Sequence, residues 1–243
     1  MNKTRKLLLF DVDNTLTISR GKMTSDMAKL LYELKNTYDL GTVSGSDLPK
    51  MMEQIGAASN SFKWLFTENG LVAYCDEELY NKTNMIDRIG EELYQDLVND
   101  CLKMLSEINL PVKRGTFIEL RNGLMNVCPI GRSCTQNERD DFEAYDKEHK
   151  IREKMCNILR KKYGDKLTFS IGGQISFDVF PVGWDKTYCL QFIEDKYIEI
   201  HFFGDKIIKG GNDYEIGMDP RVVPHSVNNY MNTYEILKNS FLL

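Results

Sequence analysis

A chain of 243 residues, 42% apolar and 28% charged, has the material for one large domain or two modest ones and argues against global disorder. Its 36 acidic residues outnumber its 31 lysines and arginines, a formal net charge of −5, which speaks against a basic nucleic-acid-binding surface. No apolar run reaches the length of a membrane span, and the short run after the basic start stops at Asp11, too early for a signal peptide.

Lys6-Leu7-Leu8-Leu9-Phe10 reads as a buried strand of a parallel sheet. Met27, Leu30, Leu31 and Leu34 follow at helical spacing, with Thr24 or Ser25 as N-cap. Leu40 to Val43 is a second strand, broken by Ser44-Gly45-Ser46-Asp47. A second helix carries Leu48, Met51, Met52 and Ile55 and ends at Gly56. Lys63 to Phe66 and Leu71 to Tyr74 form a hairpin around Glu68-Asn69-Gly70. Strand alternating with helix is the grammar of a doubly wound sheet.

From Met85 the pattern changes. Met85, Ile89, Leu93, Leu97, Cys101, Leu105 and Ile108 predict one long amphipathic helix, ended by Pro111. Gly115 to Leu120 and Leu124 to Val127 predict a hairpin about Asn122-Gly123. Thr135-Gln136-Asn137-Glu138 is a capping box opening helix that runs to about Tyr163. Leu167 to Ile171 and Ile175 to Phe180 predict a second hairpin. After Trp184 the first grammar returns, with helix over Lys186 to Ile193 and a buried strand over Ile198 to Phe203. The remainder reads as loop-rich. The fold class expected is α/β, a doubly wound, mostly parallel sheet core interrupted by an inserted α+β cap domain. The core is expected over 1–82 and 186–243 and the cap over 83–185.

The six cysteines, Cys75, Cys101, Cys128, Cys134, Cys156 and Cys189, form no CxxC pair and lie mostly in apolar surroundings. Reduced, buried thiols in a cytosolic protein fit this pattern better than a disulfide framework.

The chemistry should sit where the first strand ends, at Asp11-Val12-Asp13-Asn14-Thr15. Residues two apart on extended chain face the same way. Both carboxylates can therefore point into the crevice beyond the strand ends, where open α/β sheets bind ligands. Two close carboxylates repel, and a hard divalent cation such as Mg²⁺ relieves this. A polar turn capping the next helix is the bland alternative. Against it, the second strand ends in Ser44-Gly45-Ser46, which can hold a phosphate. A late strand ends in Gly204-Asp205, a further metal carboxylate, and Lys186 can balance phosphate charge.

This constellation resembles the haloacid dehalogenase superfamily of aspartate-dependent phosphotransferases, with all four motifs in the expected order. Arg114 to Glu119, Arg121-Asn122-Gly123, Pro129 to Ser133, Gly172 to Phe180, Phe203 to Lys206 and Gly210 to Asp213 are similar to the eukaryotic phosphomannomutases, along essentially the whole chain. One departure is Asn14, where the superfamily usually has glycine. Asparagine can fill the left-handed position this turn needs.

The resemblance implies an Mg²⁺-dependent phosphomannomutase interconverting mannose 6-phosphate and mannose 1-phosphate, activated by a hexose 1,6-bisphosphate and feeding GDP-mannose synthesis. In it Asp11 is the nucleophile and Asp13 the general acid and base. Lys186 and either Ser44 or Ser46 bind the phosphoryl oxygens. Mg²⁺ takes oxygens from Asp11, the Asp13 carbonyl and Asp205, supported by Asp213. A second cation site uses Gly217, Asp219 and Val222, although a plain loop explains these residues nearly as well. Arg20 from the core and Arg121, Arg132 and Arg139 from the cap recognise the sugar phosphate, and Ser176 and Asp178 bond its hydroxyls. Each arginine taken alone reads more readily as a solvated surface charge, and it is the resemblance that assigns the role. The resemblance further implies a cytoplasmic homodimer joined through the cap, with no nucleic-acid or membrane partner. Two rivals remain at this level: a sugar-phosphate phosphatase of the same superfamily, and a scaffold with a dead site.

Overall fold

The structure is a computed structural model and describes residues 5–19 and 21–242. Arg20, expected to touch substrate, lies outside the described residues. The chain divides into two compact units, Met1–Lys82 with Gly183–Leu243, and Thr83–Val182.

The first unit opens with β1 (Lys6–Phe10), α1 (Ser25–Leu34), β2 (Asp39–Val43), α2 (Leu48–Ile55), β3 (Trp64–Thr67), β4 (Val72–Cys75) and β5 (Glu78–Lys82). Strand β1 is apolar on both faces because both are covered. Leu8 and Phe10 pack with Met27, Leu30, Leu31 and Leu34 of α1. Leu7 and Leu9 pack on the opposite face with Trp64, Phe66 and Phe202. Truncating any of these four β1 side chains to alanine would cost roughly 2–5 kcal/mol.

Helix α1 starts at Thr24, whose side chain accepts from the Met27 amide. Helix α2 starts at Asp47, which accepts from the Lys50 amide, and Gly56 ends it at φ 52°. Its inward stripe is Met51, Gln54 and Ile55. Met52, placed by the sequence among the apolar positions, stands 36% exposed. Strand β5 was not anticipated, because its residues are almost all exposed and show no alternation.

The second unit continues with α3 (Met85–Ile89), α4 (Glu91–Glu107), β6 (Ile118–Leu120), β7 (Met125–Val127), α5 (Gln136–His149), α6 (Ile151–Tyr163), β8 (Leu167–Gly172) and β9 (Ser176–Pro181). The single long helix expected from Met85 is two helices. Gly90 takes φ 82° between them, which no right-handed helix passes through. The capping box forms at Thr135 and Glu138. Lys150, at φ 56°, separates α5 from α6. The strands form an antiparallel sheet in the order β6-β7-β9-β8.

The chain then returns to the first unit through β10 (Glu199–Gly204), α7 (Tyr214–Gly217), β11 (Val223–Ser226) and α8 (Tyr230–Ser240). The expected helix after Lys186 is a 3-10 segment, Lys186–Phe192. The tail is not loop: β11 pairs with β10, and Asn229 caps α8 by accepting from the Met231 and Asn232 amides. The sheet order is β11-β10-β1-β2-β3-β4-β5. Strands β11 to β3 run parallel, and β4 and β5 antiparallel. The carboxyl ends of β1, β2 and β10 therefore open on one edge, the edge where such sheets bind ligands.

Candidate active site

Asp11 follows the last residue of β1, and its amide donates to the Phe203 carbonyl at 2.9 Å, so β10 fixes its backbone. Asp11 and Asp213 are buried, and Asp205, one residue past β10, is half-buried. One carboxylate oxygen of each lies within 4.8 Å of the others. Gly204 makes this approach possible: a Cβ there would stand 2.8 Å from the Asp213 carboxylate.

Lys186 is buried at the centre. Its Nζ donates to Asp11 and, at 2.6 Å, to Asp213 Oδ1. The Lys206 amide donates to Asp213 Oδ2 at 3.0 Å. Burial works against charge on Lys186, but the Asp11 and Asp213 carboxylates outweigh it and hold its pKa above the ordinary value. Burial pushes the Asp11 carboxyl up to about 6, against the pull of Lys186. Burial also raises Asp205, opposed by Asn14 and Lys206. Three close carboxylates surround one buried ammonium, Lys186, with the exposed Lys206 acting on Asp205. This all-oxygen donor set with surplus negative charge fits a hard divalent cation such as Mg²⁺.

Asn14 does what the sequence asks of it, at φ 59°. It also does something the sequence did not suggest. Its Nδ2 donates to Asp205 Oδ2 at 3.2 Å, while its Oδ1 accepts from the Ser19 amide at 3.1 Å. Asp13 accepts from Gln54 Nε2 at 2.8 Å.

Ser44, at the end of β2, is buried, and its Oγ accepts from the Ser46 amide at 3.1 Å. The Asn69 amide donates to the Ser44 carbonyl at 2.8 Å. Asn69 Nδ2 reaches the Trp184 carbonyl at 3.3 Å, tying this loop to the chain just before Lys186.

In the second unit a polar row crosses the sheet. The register aligns Glu119 with Asn126, Asn126 with Asp178, and Asp178 with Ser170. Arg121 bonds Glu119 Oε2 through Nε at 2.9 Å and Nη2 at 2.6 Å. Arg132 Nε lies 3.3 Å from the same oxygen, and its Nη1 donates to Asn126 Oδ1 at 2.9 Å. Asn126 in turn donates to Asp178 Oδ1 at 2.6 Å. Arg139 bonds the Arg132 carbonyl at 3.1 Å. Ser176 lies two residues from Asp178 on β9, hence on its face.

The segment of Gly217, Asp219 and Val222 looks different. Both Asp219 oxygens accept from Arg221: Oδ1 from its amide at 3.0 Å and Nε at 2.8 Å, Oδ2 from Nη2 at 2.8 Å. Arg221 holds that carboxyl below its usual range.

A family model described as eukaryotic phosphomannomutase matches residues 27–243. The chain belongs to this family. It is 53% identical to a Drosophila melanogaster phosphomannomutase over 237 residues, covering 95% of this chain and 93% of that one. It is 52% identical to one from Dendrobium officinale (97% and 94% covered) and 51% identical to one from Schizosaccharomyces pombe (98% and 95% covered). Among solved structures, a trehalose-6-phosphate phosphatase from Aspergillus fumigatus superposes with TM-score 0.60 at 12% identity, covering 96% of this chain and 90% of that one. An IMP-nucleotidase from Plasmodium falciparum gives 0.59 at 15% identity, covering 96% and 67%. These likenesses show the haloacid dehalogenase-type α/β fold.

Within this phosphomannomutase family fold, four contact residues escaped the sequence reading: Gln54, Glu119, Asn126 and the side chain of Asn14. Two of them left a signal. Gln54 is a polar residue three after Met51 and one before Ile55, inside a helical apolar stripe. Asn126 interrupts the buried residues Met125 and Val127 and is itself buried.

Proposed function

We propose that the protein is a phosphomannomutase, interconverting mannose 6-phosphate and mannose 1-phosphate through an aspartyl-phosphate on Asp11. The observation that carries this reading is the buried Asp11–Lys186–Asp213 cluster at the strand ends, in a chain about half identical over nearly its whole length to phosphomannomutases.

Asp11 attacks the phosphoryl group while Asp13 gives a proton to the departing sugar oxygen. In the return half-reaction Asp13 takes a proton from the attacking hydroxyl. Lys186 and the Ser44 or Ser46 hydroxyl hold phosphoryl oxygens. Asp11, the Asp13 carbonyl and Asp205, with Asp213 behind them, would hold Mg²⁺, which would supply positive charge to offset that on the transferring group. Arg121, Arg132 and Arg139, with Arg20, grip the phosphate that is not transferred, and Ser176 and Asp178 bond sugar hydroxyls. Gly217, Asp219 and Val222 are the weaker candidates for a second cation, because Asp219 is committed to Arg221.

A hexose 1,6-bisphosphate primes the phosphoenzyme, and the mannose 1-phosphate formed feeds GDP-mannose synthesis. The six free thiols suit a reducing cytoplasm. The same reading includes a homodimer joined through the second unit.

The test is a turnover assay with Mg²⁺ and bisphosphate on mannose 1-phosphate and glucose 1-phosphate side by side, following isomer and free phosphate. Isomer should dominate, and Asp11→Asn should lower it about a thousandfold or more. Free phosphate as the sole product would assign a phosphatase instead, and no turnover a scaffold.

A further inference from the structure

The inward face of α2 carries one polar side chain. Met51 and Ile55 join the apolar cluster under β1, and Gln54 lies between them, 4% exposed. A glutamine at such a place loses its hydration on both ends of the amide. Only one end is repaid. Nε2 donates to Asp13 Oδ1 at 2.8 Å, whereas Oε1 is buried without a hydrogen-bond partner among the described residues. The backbone fixes where this amide stands, because the Gln54 carbonyl accepts from the Met23 amide at 2.8 Å. A core position filled by leucine would avoid both costs. Retaining glutamine here makes sense if the amide serves Asp13.

We propose that Gln54 is the positioning residue of Asp13, holding its carboxyl in the orientation from which the proton is given and taken. This rests on the phosphomannomutase reading above. An amide suits the task in both protonation states. Its N–H end donates to the carboxylate, and its now unpaired oxygen end is the acceptor a carboxylic acid needs, reached by a half-turn of the amide. The step served is defined. The bond from Asp11 to phosphorus forms, the phosphorus–oxygen bond to the sugar breaks, and the Asp13 proton passes to that oxygen. The side-chain contact Gln54 makes is with Asp13, so it acts through that carboxyl.

Leaving groups separate this role from a merely structural one. Acetyl phosphate phosphorylates Asp11 with departure of acetate, which needs no proton. In Gln54→Met, isosteric but without a donor, turnover of mannose 1-phosphate should fall at least tenfold through kcat, with KM within twofold. Phosphoenzyme formation from acetyl phosphate should stay within twofold of the unaltered protein. That second rate also reports whether the variant is folded. Should Gln54→Met fail to fold, Gln54→Glu, isosteric and polar, gives the same split, since its carboxylate cannot donate to Asp13. Equal losses on both phosphoryl donors, or no loss on either, would overturn the inference while leaving the phosphomannomutase reading intact. An unaltered protein that neither isomerises mannose 1-phosphate nor takes up phosphate from acetyl phosphate would overturn both.

Discussion

Two polar constellations of the molecule are built by opposite means. In the first unit Asp11, Lys186 and Asp213 have side chains 6%, 2% and 0% exposed. In the second, Arg121, Arg132 and Glu119 stand 42%, 32% and 37% exposed. Burying charge is costly, so the first cluster is tolerated only because each member is paired. It suits a site whose geometry must be fixed before the reaction begins. Exposed pairs are worth little and are cheaply parted. Such a row suits guanidiniums that let go of Glu119 when a phosphate arrives. In the proposed function, the first site is held rigid for chemistry and the second is kept exchangeable for recognition.

Removing the central cation would break this contrast most severely. Lys186→Met leaves Asp11 and Asp213 buried without their partner and should destabilise the protein by about 3–5 kcal/mol, read by denaturant unfolding at neutral pH. A cost below about 1 kcal/mol would erase the distinction between the units. The second unit has one buried pair of its own, and it makes the matching control. Arg152, on α6, bonds Asp146 at 2.7 Å and also donates to the Gly173 carbonyl at 2.9 Å and the Ser176 carbonyl at 3.1 Å. Arg152→Met should cost about 3 kcal/mol and weaken substrate binding by freeing the turn before Ser176.

A smaller effect is expected from the paired histidines of β10 and β11. His201 and His225 lie 3.0 Å apart, and the His225 ring stacks on Phe203. Burial, then the neighbouring His201, lower the His225 pKa to about 4. A ring kept neutral by the fold binds its proton more readily when unfolded. Its contribution is therefore complete above the ordinary pKa near 6.5 and is lost as pH falls from there toward 4. With allowance for partial exposure the loss is at most about 2 kcal/mol, and His225→Gln should flatten stability across that window. The smallest effect belongs to the exposed row. Glu119→Gln should change stability by less than about 1 kcal/mol while changing KM for the sugar phosphate. A large stability loss there would show that the row is structural.

Much of the first site could be read in the sequence, because its parts follow buried strands. An apolar run that stops at Asp11 and another that stops at Gly204-Asp205 announce the same sheet edge. Gln54 could not be read so easily: its polarity pointed outward, and only its place between Met51 and Ile55 pointed in. The exposed row was harder still. Arg121 and Arg132 resemble solvated charges until the β6–β7 register sets Glu119 opposite Asn126. Elements with few buried residues were misread for the same reason. Helix α8 buries only Thr233 and Leu237, and β5 buries nothing, so neither carries a clear period. The long helix over Met85 to Ile108 failed on one residue, because apolar spacing continues across Gly90 although the backbone does not.

The central claim is covalent capture of phosphate by the buried aspartate after β1. Rapid quenching of the protein with radiolabelled hexose 1,6-bisphosphate, then peptide mapping, tests it directly. The account predicts an acid-stable, hydroxylamine-sensitive label on Asp11 that disappears in Asp11→Asn. Label on any other residue, or label surviving in that variant, would contradict it.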